Sequence, residues 1–116
     1  MKDIIVFSKE KCPVGLALKA IEGKWKLPIL WVLCKNGTLR YNELKKSIAG
    51  ITSMMLTSSL KELEESGLVK RKQYNEIPPR VEYSLTELGE KLLPVLDEFA
   101  KWGGELMKFM KMRICD

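Results

Sequence analysis

The chain has 116 residues and carries 20 Lys and Arg side chains against 15 Asp and Glu, which gives a net charge of +5. This length fits one domain, and 46% hydrophobic with 30% charged residues is typical of a globular protein rather than a disordered one. The sequence contains no histidine, which excludes imidazole general bases and imidazole metal ligands. The basic excess favours a polyanionic partner, although proteins of many other functions are equally basic.

Residues 1–11 are predicted to form a short arm, in which the apolar run at residues 4–7 needs a partner surface. The arm lacks the pattern of a signal peptide, and the longest apolar run of the chain, residues 29–34, is too short to span a membrane. Three cysteines without a CxxC spacing argue against a disulfide scaffold and against a zinc site. These features predict a cytoplasmic protein with no cofactor, no metal and no membrane partner.

Two helices are predicted to follow the arm. Pro13 is a favourable first helical residue after Cys12, and Gly23 is expected to end that helix. Residues 25–35 form the second helix, whose apolar character predicts that it lies at the centre of the domain. The face of this helix expected to be buried holds Leu27, Leu30, Trp31 and Cys34.

A helix-turn-helix is predicted for residues 41–65. Residues 38–40 are long enough for one edge strand, and residues 41–47 for a short helix. The turn at residues 49–51 leads to Thr52, which is a favourable N-cap for the next helix. Two short helices joined by a glycine-containing turn are typical of a helix-turn-helix.

The helix that follows Thr52 has an apolar face and a polar face. Leu56, Leu60 and Leu63 recur at i, i+4 and i+7, so we expect them to be buried. The opposite face carries small or polar side chains that can meet base edges and phosphates, namely Ser53, Thr57, Ser58 and Lys61. A solvated surface helix explains the same pattern, so the segment alone leaves DNA binding open.

Residues 68–85 are predicted to form a basic hairpin. Val81, Tyr83 and Leu85 alternate inward on its second strand, and residues 75–79, which include two prolines, supply the turn. With the helix-turn-helix and the strand at residues 38–40, the hairpin predicts a winged helix-turn-helix, an α+β fold that is mainly α. The whole chain is then a single winged-helix domain.

Thr86 is expected to cap a long last helix over residues 87–112, which Pro94 should kink. Its apolar stripe is longer than so small a domain needs for its own core. We therefore expect the N-terminal arm and this helix to form a homodimer interface, with a helix folded back over its own domain as the alternative. The predicted interface residues are Ile4, Val6, Phe7, Leu92, Val95, Leu96, Phe99 and Trp102.

Short motifs spread along most of the chain match a known pattern. They include Cys12-Pro13-Val14, Gly23-Lys24-Trp25, Arg40-Tyr41-Asn42-Glu43-Leu44, Gly50-Ile51-Thr52 and Gly67-Leu68-Val69, and the most specific is PPRVEYSLT at residues 78–86. From about residue 12 to residue 102, the chain resembles the HxlR-type regulators, which are bacterial winged-helix transcription factors of the MarR-like group. The arm and the tail fall outside this resemblance.

The resemblance implies a transcriptional regulator rather than an enzyme, acting as a homodimer on a near-palindromic operator in double-stranded DNA. The helix after Thr52 would lie in the major groove, and the wing at residues 74–80 would reach the flanking backbone or minor groove. The implied groove contacts are Ser53, Met54, Thr57, Ser58 and Lys61, and the implied wing contacts are Lys70, Arg71, Lys72 and Arg80. Loss of the Arg80 side chain is then expected to weaken binding and lower its salt dependence. A winged helix that binds protein or RNA is the alternative.

Cys12 is the second candidate site. A helix N-terminus together with Lys9 and Lys11 is expected to favour its thiolate. The resemblance implies that such a cysteine senses oxidants or electrophiles in several members, whereas packing as a small apolar residue in the dimer interface is the alternative. Cys34 is expected to be buried and inert. The sequence also leaves open whether the protein binds a small-molecule effector. Four aromatic residues could line a pocket for it or could instead pack in the core: Trp25, Trp31, Phe99 and Trp102.

Overall fold

A computed structural model describes residues 3–115, with the side chains of residues 3–111. The helices are α1 (Pro13–Ile21), α2 (Lys26–Asn36), α3 (Tyr41–Ser47), α4 (Ser53–Glu65), α5 (Glu87–Glu90) and α6 (Leu93–Cys115). The strands are β1 (Leu39–Arg40), β2 (Val69–Tyr74) and β3 (Arg80–Leu85). This is the predicted winged helix-turn-helix, with β2 and β3 as the wing. Among the described residues, no helix is long and apolar enough to cross a bilayer.

Local signals in the sequence account for where the helices begin. α1 starts at Pro13, because a first helical residue needs no N–H partner of its own. α4 starts after Thr52, whose hydroxyl accepts a hydrogen bond from the Met55 N–H at 3.2 Å. Glu43 turns back to accept from the Arg40 N–H at 2.8 Å, which closes the start of α3.

The sheet is antiparallel with the strand order β1-β3-β2, so β1 is an edge strand as predicted. The register of the wing runs from Val69 opposite Leu85 to Tyr74 opposite Arg80. Because side chains alternate along a strand and directly opposed residues share a face, Val69 and Leu85 lie on the core face. The outer face holds Lys70, Lys72, Tyr74, Arg80, Glu82 and Ser84, with Arg40 of β1 beside Glu82.

The core lies between α2, α3, α4 and the sheet. Leu56, Leu60 and Leu63 of α4 are no more than 1% exposed, as their spacing predicts. The prediction for the buried face of α2 is confirmed for Leu30 and wrong for Leu27, Trp31 and Cys34, which are only half-buried. The other buried residues of this helix are Ile29 and Leu33. The physical reason is that α2 contacts α3, α4, α6 and β3, so neighbours on several sides decide which residues are buried.

The C-terminal helical region has a break that the prediction of one helix over residues 87–112 did not contain. Thr86 caps only the short α5, and the long helix α6 begins again at Leu93. Pro94 explains the break, because it has no N–H and its ring clashes with the carbonyl four residues earlier, at Glu90. From there α6 continues through Gly103 and Gly104.

The predicted dimer residues are not all on the surface. Leu96 is 5% exposed within the core and Leu92 is half-buried against it, so both contact their own domain. They do so because the first turns of α6 pack on α2, where Lys35 Nζ lies 2.5 Å from Asp97 Oδ1. The exposed members of the set are Ile4, Val6, Phe7, Val95, Phe99 and Trp102.

Candidate nucleic-acid interface

The solvent face of α4 presents a continuous set of polar and small side chains. With Leu56, Leu60 and Leu63 turned into the core, the helix leaves its opposite side free. All five predicted groove residues are exposed there: Ser53, Met54, Thr57, Ser58 and Lys61. Met54, which departs from a wholly polar face, is 82% exposed. The helix can therefore approach a partner with hydroxyl groups, a thioether and an ammonium group.

Tyr41 fixes the position of α4 relative to α3. Its hydroxyl lies 2.9 Å from the Ser53 carbonyl oxygen and 2.9 Å from Thr57 Oγ1. The carbonyl can only accept, so the phenol donates its one proton there, and Thr57 must donate to the phenol oxygen. Thr57 therefore keeps only acceptor lone pairs and a methyl group for a partner. The sequence did not indicate this role of Tyr41, because its two partners lie 12 and 16 residues away.

The four cations predicted for the wing do not form one patch. Lys70 and Lys72 lie on the outer face of the hairpin, and Arg71 lies on the other face, where it donates to Gln73 Oε1 at 3.3 Å. Lys70 is at the base of the wing and lines a cleft with Ser84 and Glu90. Lys72 is nearer the tip, with its ammonium group 4.8 Å from the centre of the Tyr74 ring.

Arg80 has a different environment from the other three cations. Its guanidinium carbon lies 3.9 Å from the centre of the Tyr74 ring. Its terminal nitrogens lie 3.2 Å from Glu76 Oε1 and 3.8 Å from Glu82 Oε2. Because both carboxylates belong to the wing itself, the charge of Arg80 is already compensated within the hairpin.

Cys12 lies at the N-terminus of α1 and is half-buried. The backbone N–H of Gly15, followed by that of Val14, stabilises a thiolate there and lowers the pKa of the Cys12 thiol below that of an ordinary cysteine. The predicted contribution of Lys9 is not what lowers this pKa, since its ammonium group pairs with the Glu22 carboxylate. The backbone at the helix start is the cause.

Gly15 allows the arm to reach this helix. A Cβ atom at this position would lie 2.2 Å from the Ser8 carbonyl oxygen, closer than any real contact. The Ser8 carbonyl also accepts from the Cys12 N–H at 3.0 Å. The end of the arm therefore packs directly on the first turn of α1, beside the thiol.

Cys34 is chemically opposite to Cys12. Burial raises the pKa of its thiol, and the negative charge of Asp97 raises it further, against the smaller effect of Lys35.

The aromatic residues considered for an effector pocket have unlike surroundings: Trp25 and Trp31 pack against the core, while Phe99 and Trp102 stay exposed on α6. Core packing is thus the use of the first two.

Comparison with known proteins gives a consistent result. The family model described as HxlR-like helix-turn-helix matches residues 20–111. The HTH-type transcriptional regulator YkvN of Bacillus subtilis is 52% identical over 96 residues, which are 83% of this chain and 80% of that protein. The match extends past residue 102, so the tail up to residue 111 belongs to the family pattern, whereas Cys12 precedes the matched segment.

Solved structures agree in fold. A MarR-family transcriptional regulator of Porphyromonas gingivalis is 50% identical with a TM-score of 0.80, over 87% of this chain and 98% of that one. The redox regulator HypR in its oxidized form is 42% identical with a TM-score of 0.75, over 81% of this chain and 96% of that one. The chain therefore belongs to the HxlR-like helix-turn-helix family, whose members are transcriptional regulators with a winged helix-turn-helix fold.

Proposed function

We propose that the chain acts in the cytoplasm as a homodimer that binds a near-palindromic operator. The observation that carries the proposal is the outward face of α4, where Ser53, Thr57, Ser58 and Lys61 are exposed together beside Met54. α4 has 13 residues and is about 20 Å long. A major groove about 12 Å wide admits such a helix, and hydroxyl groups and a cation are suited to its base edges and phosphates.

Within this proposal, the residues of α4 divide by chemistry. Lys61 is near the middle of the helix and would contact a phosphate, which fixes the register but not the sequence. Ser53, Thr57 and Ser58 would meet base edges, with Thr57 acting as an acceptor because its proton is engaged by Tyr41. Met54 offers an apolar surface for a thymine methyl group.

The exposed wing cations support contacts outside the major groove. Lys72 and Arg71 lie on opposite faces of a two-stranded ribbon, so they would meet different parts of the backbone. Lys70 lies at the base of the ribbon, so it would contact DNA only if the DNA backbone next to the operator curved toward the domain. Each phosphate contact adds salt-dependent affinity through the release of counterions.

Exposed apolar side chains support the homodimer. Phe99 and Trp102 stack with their ring centres 6.0 Å apart and are each more than half exposed, and Val95 lies about one turn before Phe99. The arm adds Ile4, Val6 and Phe7. A second copy of the chain is a partner that would cover such a surface, and two copies would present two α4 helices to two half-sites.

We further propose that Cys12 responds to oxidants or electrophiles. Its lowered thiol pKa and partial exposure support a reactive thiolate, and the similar structure of HypR is that of a redox regulator. A peroxide would take two electrons from the sulfur and transfer one oxygen to it, which gives a sulfenic acid and releases water or an alcohol. The added group would lie beside the contact of Ser8 with Gly15 and would disturb the arm.

The test is a binding titration with DNA from upstream of the gene that encodes the chain. We expect a shifted band that survives excess non-specific DNA, because base contacts add to the backbone contacts. Lys61→Ala should reduce the slope of log K against log salt by about 0.9, the value for one phosphate. Lys101→Ala is the matched control, since this cation lies on α6 and pairs with Glu98.

Two results would contradict the proposal. The first is wild-type binding to the upstream DNA that is no tighter than binding to a scrambled duplex of the same length. The second is a salt slope that Lys61→Ala and Lys101→Ala change equally. The first result would favour the winged helix as a module for protein or RNA, and the second would refute the assignment of Lys61 as a phosphate contact.

A further inference from the structure

We infer that Arg80 is a positioning residue that clasps the tip of the wing and does not itself neutralise a DNA phosphate. This inference rests on the proposed function, because the wing matters only if the chain binds DNA. It differs from what the family resemblance implies, in which Arg80 is one of four wing contacts to DNA and its loss lowers the salt dependence of binding. Three features of its environment carry the inference.

The first feature is the convergence of three parts of the hairpin on one guanidinium group. Tyr74 is the last residue of β2, Glu76 is in the loop at residues 75–79, and Glu82 is on β3. The distances from Arg80 are 3.9 Å to the Tyr74 ring centre, 3.2 Å to Glu76 and 3.8 Å to Glu82. A planar guanidinium is suited to stacking on a ring while its edges meet carboxylates. Arg80 thus connects both strands to the loop. These contacts of Arg80 with Tyr74, Glu76 and Glu82 are called the clasp below.

The second feature is the local balance of charge. Two carboxylates lie within 4 Å of a single guanidinium, so the group as a whole does not present a free positive charge. A phosphate brought to this position would have to displace Glu76 or Glu82 and would be repelled by the carboxylate it displaced. Lys72, which lies opposite Glu82 on β2, is an exposed source of positive charge on the same face.

The third feature is the orientation of the side chain. The Arg80 side chain is 27% exposed, and its Nε atom is buried without a hydrogen-bond partner. Leaving a donor unpaired is unfavourable, so the stacking and the two carboxylates are what hold the group in this half-buried position on the outer face. A side chain whose role was to reach a phosphate would instead extend into solvent.

The clasp has a mechanical consequence for the wing. The loop at residues 75–79 faces the N-terminus of α3 across an open cleft lined by Arg40, Asn42 and Pro79. An open cleft supplies little packing to brace the loop, although the Glu76 N–H does bond the Tyr74 carbonyl at 2.9 Å. The Arg80 contacts, which all lie within the hairpin, therefore hold the loop against its two strands.

The test compares salt titrations of DNA binding for Arg80→Ala, Arg80→Lys and Lys72→Ala. Because a lysine keeps the charge but not the planar group, both Arg80 variants should lose affinity by the same factor, on the order of tenfold, at every salt concentration. Their slopes of log K against log salt should equal that of the wild type. Lys72→Ala, which removes an exposed cation from the same face, should reduce the slope by about 0.9.

A second readout needs no DNA. Amide hydrogen exchange should become faster at residues 75–77, the part of the loop that carries N–H groups, in Arg80→Ala and in Tyr74→Leu, while the amide groups near Val69 keep their wild-type protection. Tyr74→Leu removes the ring on which Arg80 stacks and keeps the Arg80 side chain. The same change in both variants would therefore show that it comes from the lost contact and not from misfolding of Arg80→Ala. Thermal melting of each variant confirms that it is folded.

The outcomes separate this inference from the proposed function. If Arg80→Lys binds like the wild type while Arg80→Ala loses a slope of about 0.9, Arg80 is a phosphate contact and the inference is wrong. Unchanged amide exchange at residues 75–77 in both Arg80→Ala and Tyr74→Leu also overturns it. If the wild type binds no DNA specifically, the proposed function fails, and the exchange measurement still decides whether the clasp exists.

Discussion

At the scale of single residues, two cysteines of the same chain have opposite chemistry because of what surrounds them. The Cys12 sulfur is at a helix start, where the N–H groups of Gly15 and Val14 stabilise negative charge. The Cys34 sulfur is half-buried, and both its loss of water and the nearby Asp97 carboxylate oppose negative charge. The reactive thiol is therefore defined by backbone geometry rather than by neighbouring lysines.

Alkylation with iodoacetamide as a function of pH tests this difference. A thiol reacts as its thiolate, so its rate falls as the pH drops through its pKa. Cys12, with a lowered pKa, should keep reacting at a pH below the ordinary cysteine value of about 8.5, and Cys34 should need a higher pH. Peptide-resolved mass spectrometry measures both in one sample, with Cys34 as the internal control. If the alkylation rates of Cys12 and Cys34 had the same pH dependence, the assignment of Cys12 as the more reactive thiol would be wrong.

At the scale of elements, Thr86 and Gly89 join the wing to the C-terminal helices. The Thr86 hydroxyl donates to the Gly67 carbonyl at 2.6 Å and accepts from the Gly89 N–H at 3.1 Å. Its own N–H donates to the Leu68 carbonyl at 3.1 Å. Short α5 is thus held against the start of β2, and this contact orients α6 relative to the wing.

Gly89→Ala should destabilise the fold. A Cβ atom there would lie 2.2 Å from the Leu68 carbonyl oxygen, so backbone must move, and we expect a loss of about 1–3 kcal/mol in the free energy of unfolding. The higher helix propensity of alanine, worth about 1 kcal/mol, acts in the opposite direction and does not remove the clash. Urea unfolding followed by circular dichroism gives the value.

Glu90→Ala is the control for this substitution, because the side chain next to Gly89 is exposed and should change stability by less than about 0.5 kcal/mol. Equal stability of the two variants would show that α5 moves away from Leu68 without cost and that the junction is not rigid.

At the scale of the whole molecule, apolar surface is concentrated in the terminal segments. The helix-turn-helix and the sheet enclose a buried core, whereas α6, with 23 residues and a length of about 35 Å, extends beyond it. The molecule measures 64 × 42 × 24 Å along its principal axes. The exposed side chains of α6 include Phe99, Trp102 and Leu106, and those of the arm include Ile4 and Val6.

The double variant Phe99→Ala/Trp102→Ala tests the proposed dimer. These rings are exposed in the single chain, so their loss should leave thermal stability of the monomer nearly unchanged. Aromatic residues often supply much of the binding energy of an interface, and we expect the dissociation constant of the dimer to rise by about 100-fold or more. Sedimentation equilibrium measures it, with Lys101→Ala as the control on the same helix. A wild type that sediments as a monomer at high concentration would refute the dimer.

Much of the fold and part of the site followed from local patterns. The cap at Thr52, the burial of Leu56, Leu60 and Leu63, and the polar side of α4 all depend on residues within two turns of one another, which a sequence pattern contains. Part of the buried face of α2 was missed because four elements pack around it. The break before α6 was missed although Pro94 indicated a disturbance there, since a kink and a break produce the same local signal.

The sequence by itself determined the order of helices and strands through the wing, the family resemblance and the residues that α4 turns to solvent, because these depend on short-range periodicity and caps. Only the tertiary structure decided that Leu96 belongs to the core, that Tyr41 engages the hydroxyl of Thr57, and that Arg80 is held by its own hairpin. The physical reason is that charge, donors and exposure of a side chain depend on neighbours brought together by folding. The charge of a cation that lies beside carboxylates is already compensated, whereas a cation exposed to water remains available to a partner.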